Sequence, residues 1–487
     1  MTSPRVLRWL AATIVAGGVL MSLEMAAVRL FAPYFGYSIY VWGTTICVVM
    51  AAMVAGYAIG GRLADTARAE AHLFIAILSS AAWQLLALWT MHLLLPRLAE
   101  TSEVIGVTLA ALVLFAPSMV ALAATGPILV RLCAQVGTIG RAAGLIYALS
   151  TAGSMAGIVA TIFWLLPGLG THATLQVLCG TSFLIGAAGL LTAGRRREIG
   201  LAVAAGLVPV LMAPGLGWSE GSVWTAESSY NLVRVVQRGG RRLLQLNHPS
   251  SIHTVRDGSG VWTGFYYDAF ALGPLLVPAR RALVLGMGAG GSIRSMRLTN
   301  PEIAIDAVEI DPRVVEAAAR WFDVDPASDG RLRVHVMDAR RFLSRDRGTY
   351  DLVQLDVYQG GPYIPFHLVT EECFRLARAR MSDDALLMMN VFDRGPDKAL
   401  LRSLEATLRR VFPSVMVGHT DAGNFMLFAF TRVPSVERLR YRPAVLQANT
   451  GVRDMEVREV ARADGAAVFT DDRAPIEDMT RRMLAVR

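Results

Sequence analysis

The sequence predicts a multi-span α-helical membrane domain of about seven helices, followed by a small β-hairpin region and an α/β, Rossmann-like domain. Three observations carry that expectation. Long apolar stretches follow one another up to Trp218, charged and apolar residues alternate from Ser219 onward, and a short apolar run with four glycines in its turn opens at Arg281. Of the 487 residues 54% are hydrophobic and 18% charged, far from an average soluble domain. Because the excess is confined to the first part, the chain divides into a helical domain, 1–218, and a second domain, 219–487, the latter into a β region, 219–278, and a nucleoside-binding core, 279–487.

A spanning helix needs about 20 predominantly apolar residues. The stretches that qualify are 8–31, 39–61, 72–95, 104–131, 141–166, 173–193 and 199–217, the last interrupted by Pro209 and Pro214. The first runs on too long for a cleavable signal and lacks a small-residue cleavage site. Arg5, Arg8, Arg62, Arg68, Arg131, Arg141, Arg195, Arg196 and Arg197 fall on one face, against Arg29 and Arg97 on the other. Positive charge stays inside, so the N-terminus is expected in the cytoplasm and the protein multi-pass in a bacterial-type inner membrane. Seven spans would put the second domain outside the cytoplasm; six, with 199–217 lying in the interface or re-entrant, would keep it inside.

Glu24 lies within the first span, where an ionisable group is costly and is therefore a candidate functional residue, although a structural hydrogen bond to a neighbouring helix explains it equally well. Arg29, five positions on, does not share its helix face. His92 and His172 lie near helix ends, where structural roles are expected. Cys47, Cys133 and Cys179 have no ligand spacing and read as packing residues, so no metal is expected. The net charge of +8 is scattered without an aromatic-studded patch, which argues against nucleic acid as a partner.

In the second domain ALVLG is a buried parallel-type strand, Ser292 to Leu298 begins a helix, and IAIDAVEID is the next strand. Gly286, Gly288 and Gly291 satisfy G-x-G-x-x-G, while Gly286, Gly288 and Gly290 satisfy the shorter G-x-G-x-G of S-adenosylmethionine-type folds, so the turn alone does not choose the cofactor. Glu309 follows Gly290 by nineteen residues, where a doubly wound sheet sets an acid against ribose hydroxyls. RLRVHVMDARRFL ends a third strand at Asp338 and YDLVQLDVY a fourth at Asp356, so acids close successive strands on one sheet edge. Asp338 also suits an N-cap, and Asp351 a strand start.

These segments resemble the spermidine synthase family of aminopropyltransferases, in particular its bacterial branch with a fused multi-span N-terminal domain. The resemblance rests on AESSYNLVRVV (226–236), GFYYDAF (264–270), GMGAGG, VEID, MDAR and QLDVY, with IPFHLVTEECF (364–374) and VFTDDRAPIEDM (468–479) like segments of the membrane-fused branch. It implies a co-substrate that is decarboxylated S-adenosylmethionine or S-adenosylmethionine itself, a small-molecule amine or other small acceptor, release of methylthioadenosine, no metal, and a homodimer as an open question. By the same resemblance Asp356 is the base or amine-orienting acid, Tyr267 positions the amine, Glu309 holds the ribose, and Asp338 reads adenine. Tyr230, His253 and Gln359 would then be substrate-side residues. Three places where the family carries acids are neutral here, at Ala289, Gln359 and LNHPSS. Two other readings stay open: a different reaction on the same sulfonium, by methyl transfer or intramolecular cleavage, and a transporter or sensor whose second domain only binds a nucleoside.

Overall fold

The computed structural model describes residues 3–192, 221–258, 261–359, 361–420, 423–459 and 465–485. The chain divides into two compact units, Met1–Trp218 and Ser219–Arg487.

The first unit is helical. Its elements are α1 (Pro4–Phe35), α2 (Ile39–Ala64), α3 (Ala69–Leu98), α4 (Glu103–Leu114), α5 (Ala116–Ala134), α6 (Ile139–Ala160) and α7 (Leu166–Thr192), with a π-helical turn, Thr161–Leu165, between the last two. Ser3 and Ser38 cap α1 and α2, each side-chain oxygen accepting a backbone N–H three residues on. Among the described residues Pro4–Phe35, Ile39–Ala64, Ala69–Leu98, Ala116–Ala134 and Ile139–Leu191 are long and apolar enough to cross a membrane, and Glu103–Leu114 is a shorter apolar helix. The expected span 104–131 is thus two helices. Pro117 sits in the first turn of α5, where its missing N–H costs nothing, and the helix before it stops at Leu114. Gly170, with φ 80° and ψ 173°, bends the chain within Leu166–Thr192. The expected span 199–217 lies outside the described residues.

Small residues set how closely these helices pack. A Cβ on Gly153 of α6 would lie 2.1 Å from the carbonyl oxygen of Ile14 on α1, and one on Gly157 would lie 2.3 Å from that of Gly18. Gly56 and Gly60 of α2 meet the backbone of α5 in the same way. Buried polar groups bond to one another: Gln84 donates to Ser80 at 2.9 Å and to Ser182 at 3.2 Å, and Ser80 bonds Ser118 at 2.7 Å. Glu24 is half-buried on α1. Arg29 is buried, bonds the Tyr37 hydroxyl and stands 5.9 Å over its ring.

The second unit begins with a four-stranded antiparallel sheet, β1 (Ser222–Glu227), β2 (Leu232–Arg238), β3 (Arg241–Leu246) and β4 (Ile252–Asp257), larger than the hairpin expected. An eight-stranded mixed sheet follows in the order β12-β10-β11-β9-β8-β5-β6-β7. Its parallel part comprises β5 (Arg281–Leu285), β6 (Ala304–Glu309), β7 (Leu332–Val336), β8 (Tyr350–Leu355) and β9 (Met381–Phe392); β10 (Ser414–His419), β11 (Asn424–Phe430) and β12 (Val457–Glu459) extend it antiparallel. Strand order runs outward from β5 in both directions, so β5 and β8 flank the point where a doubly wound sheet opens a crevice at its carboxyl edge. The two sheets are tied by polar bonds. Asp311, fully buried after β6, accepts from Ser228 at 2.7 Å and from Asn231 at 2.9 Å, and Asn231 in turn accepts from Asn247 at 2.9 Å.

Candidate active site

Four strand ends of the parallel sheet converge on one cleft, and the glycine turn after β5 shapes it. Gly286 has φ 80°, and a Cβ there would sit 2.2 Å from the carbonyl oxygen of Asp356, so only glycine lets β8 end beside the turn. The Asp356 N–H donates to Leu285 O at 3.0 Å, which fixes that juxtaposition. Gly288, φ 51°, lines the cleft and donates its N–H to Glu309 Oε2 at 3.2 Å. Gly290 departs from expectation. It is the left-handed residue that starts the helix Gly291–Thr299 and packs on Val324, and the cleft is lined instead by Gly291, where a Cβ would strike the Tyr267 ring. Ala289 is also turned inward, buried in the core with its N–H on Thr254 Oγ1 at 3.0 Å.

Glu309, Asp338 and Asp356 all line the cleft. Glu309 closes β6 and accepts from the Asp311 N–H at 3.1 Å as well as from Gly288; burial pushes its carboxyl up to about 7, outweighing those two bonds. Asp338 caps the helix Ala339–Arg345 through the Arg341 N–H at 2.8 Å, while its other oxygen lies 3.4 Å from His367 Nε2. One carboxylate thus serves as N-cap and cleft wall together. Burial likewise lifts Asp356, from its ordinary 3.8 to about 6, against the bonds from Tyr266 Oη at 2.8 Å and Asn390 Nδ2 at 3.3 Å.

The phenol bonded to Asp356 is therefore Tyr266, while Tyr267 lines the same cleft without a hydrogen bond to that carboxylate. Both stand on the 3₁₀ turn Tyr266–Leu272, where successive side chains point about 120° apart, so only one of the pair can face the acid. Tyr267 is 2% exposed; its hydroxyl accepts from the Val255 N–H at 2.8 Å and donates to the Val255 carbonyl at 3.1 Å, which locks β4 against the turn. Tyr230 and Gln359 are exposed at the cleft. Half-buried His253 also lines it, its imidazole pushed down to about 4 by burial and hence neutral. Tyr266, Asn390, Thr254 and His367 were not foreseen. The usable signal was the lone polar residue in an apolar strand: Gln354 in LVQL and Asn390 in MMNVF both reach this region, Gln354 in the cleft wall. No group of three or more metal-ligating side chains occurs among the described residues.

Residues 272–421 match the spermine/spermidine synthase domain. Over that stretch the chain is similar to the spermine/spermidine synthase family. A probable polyamine aminopropyl transferase from Bifidobacterium longum is 28% identical over 284 residues, which cover 53% of this chain and 62% of that one. The chain therefore spans less than two-thirds of that relative. The eEF1A lysine and N-terminal methyltransferase of Homo sapiens is 28% identical over 146 residues, 28% of this chain and 20% of that protein. A solved structure, a probable spermidine synthase from Corynebacterium glutamicum, is 19% identical with a TM-score of 0.42, and the likeness covers 52% of this chain and 97% of that one.

Proposed function

We propose that the protein is a membrane-anchored aminopropyltransferase that takes an adenosyl sulfonium donor and releases methylthioadenosine. The observation that carries this reading is Asp356 at the end of β8, held by Tyr266 and Asn390 and facing the glycine turn. Glu309, at the end of β6 on the far side of β5, suits ribose hydroxyls, and Asp338 suits an adenine amino group. In the reaction the lone pair of a neutral amine forms an N–C bond at the carbon beside the sulfonium. The C–S bond breaks, its electron pair neutralises the sulfur, and the proton left on nitrogen passes to Asp356. A carboxyl at about 6 is mostly ionised at neutral pH yet basic enough to take that proton. Positioning of amine, carbon and sulfur in line supplies the remaining rate.

The apolar helices Pro4–Phe35, Ile39–Ala64, Ala69–Leu98, Ala116–Ala134 and Ile139–Leu191 support the bilayer anchor, and the arginine bias supports a cytoplasmic N-terminus in a bacterial-type inner membrane. A second reading, methyl transfer or cleavage of undecarboxylated S-adenosylmethionine, is favoured by the inward-facing Ala289, which offers the donor's ammonium no carboxylate. Incubating the purified full-length chain with each donor, with and without amines, and following methylthioadenosine by mass spectrometry separates the two. Methylthioadenosine formed only from the decarboxylated donor and only with an amine supports aminopropyl transfer; a methylated acceptor or amine-independent methylthioadenosine sinks it.

A further inference from the structure

No residue of VFTDDRAPIEDM (468–479) lines the cleft, yet this segment grips one of its walls. Beside Asp338 that wall is the 3₁₀ turn Phe366–Leu368 with Pro365 before it. Pro365, His367 and Leu368 line the cleft, and His367 Nε2 lies 3.4 Å from Asp338 Oδ2. Bonds from the Leu368 N–H to the Pro365 carbonyl and from the Val369 N–H to the Phe366 carbonyl close the turn, which fixes its shape but not its place.

Its place is set from outside. Arg340, the second residue of the helix that Asp338 caps, donates Nη1 to the His367 carbonyl at 2.8 Å and to Asp471 Oδ1 at 2.7 Å, and Nη2 to Asp471 Oδ2. Asp471 Oδ1 also accepts from Thr370 Oγ1 at 2.7 Å, just past the turn. The segment that carries Asp471 is itself anchored, because fully buried Phe469 accepts from the Glu371 N–H at 2.8 Å and donates its own N–H to Thr407 Oγ1 at 2.9 Å. One carboxylate, 131 residues from Arg340 in the chain, thus holds both flanks of the turn. A two-pronged bond orients the guanidinium plane, and without it the Arg340 bond to the His367 carbonyl has no fixed direction. With its side chains 23% and 43% exposed, the pair adds little to folding stability. Its effect lies in geometry, since it ties the helix start bearing Asp338 to the turn bearing His367.

Resting on the nucleoside reading above, we infer that Asp471 is a positioning residue for base recognition. Through Arg340 it holds the His367 turn against Asp338, and so sets a preference for adenine over a base that lacks the amino group. Calorimetry on the full-length chain in detergent compares methylthioadenosine with methylthioinosine, which carries a carbonyl in place of that amino group. The wild type should prefer methylthioadenosine by about ten-fold or more, the scale of one hydrogen bond to a charged group. Asp471→Ala should remove most of that preference and weaken methylthioadenosine by roughly ten-fold while the unfolding temperature stays close to that of the wild type. Asp471→Glu, which keeps a carboxylate within reach of the guanidinium, should recover most of the affinity, and Asp472→Ala should leave it unchanged. Wild-type affinity and base preference in folded Asp471→Ala overturn the inference. If that variant does not fold, Arg340→Lys decides, because it keeps the charge beside Asp471 but loses the fork that reaches the His367 carbonyl as well; an undiminished base preference there also overturns the inference. A wild type that binds the two nucleosides equally instead overturns the assignment of Asp338 to adenine, and failure of methylthioadenosine to bind overturns the nucleoside reading itself.

Discussion

Glycine brings backbones into contact in both units of this chain, but the two uses differ in what depends on them. Along α1 and α6 the contacts repeat, Ile14 against Gly153 and Gly18 against Gly157, and together they set a packing distance. In the second unit a single contact, Gly286 against the Asp356 carbonyl, sets where one carboxylate stands. The polar groups divide the same way. Ser80, Gln84, Ser118 and Ser182 bond mostly to each other and tie helices together. Glu309 and Asp356 keep acceptor capacity in a cleft that raises both their pKa values. Internally bonded groups hold a fold together, whereas under-satisfied groups at a shared edge have something left to offer a ligand.

The contrast is most directly broken at Asp356. Asp356→Asn keeps the shape and removes charge and proton acceptor, and turnover should fall by about 10²-fold or more with nucleoside binding nearly intact. In the wild type the rate should decline as pH drops through about 6, where Asp356 takes up a proton. Full activity of Asp356→Asn, or a flat acid limb, would show that the chemistry lies elsewhere. Glu309→Ala should weaken methylthioadenosine by about 1.5–3 kcal/mol, the scale of a hydrogen bond to a charged group, as calorimetry would read.

Two tyrosines joined by a single peptide bond sharpen the comparison. Tyr266→Phe removes the hydroxyl on Asp356 and should slow turnover by roughly 10-fold, the low end for a group that tunes a catalytic acid or base, with little change in unfolding temperature. Tyr267→Phe should do the reverse. It strands the Val255 N–H and costs about 1–3 kcal/mol of stability, seen in thermal unfolding, while kcat of the folded protein holds. If both variants behave alike, the division of labour on that turn is wrong. The smallest effect is on stability against pH. Asp356 and Glu309 hold their protons more tightly folded than unfolded, so the native state binds more protons between the ordinary values, 3.8 and 4.5, and the raised ones, about 6 and 7. Their contribution to stability is therefore greatest below about pH 4 and is lost as pH rises through 7. A fall in melting temperature between about pH 4 and 7 that is smaller in Asp356→Asn/Glu309→Gln than in the wild type is the expected pattern.

Much of this protein is legible from residue order alone because periodicity and local chain geometry are sequential properties. Apolar runs of spanning length, the glycine turn after ALVLG, and the acids at the ends of β6, β7 and β8 each follow from neighbours in the chain. The stop at Leu114 was equally local, and Pro117 could have announced it. What sequence left undecided depended on which groups meet across the fold. Nothing in YYD says which tyrosine faces Asp356, since that is settled by the rotation of a 3₁₀ turn against β4. Nothing in GAGG says that Gly290 packs on Val324 while Gly291 faces the cleft. Asn390 is thirty-four residues from Asp356 and reaches it only because β8 and β9 pair in parallel register. Side-chain direction and cross-strand pairing are three-dimensional quantities, and the burial that lifts Asp356 to about 6 exists only once the strands have closed around it.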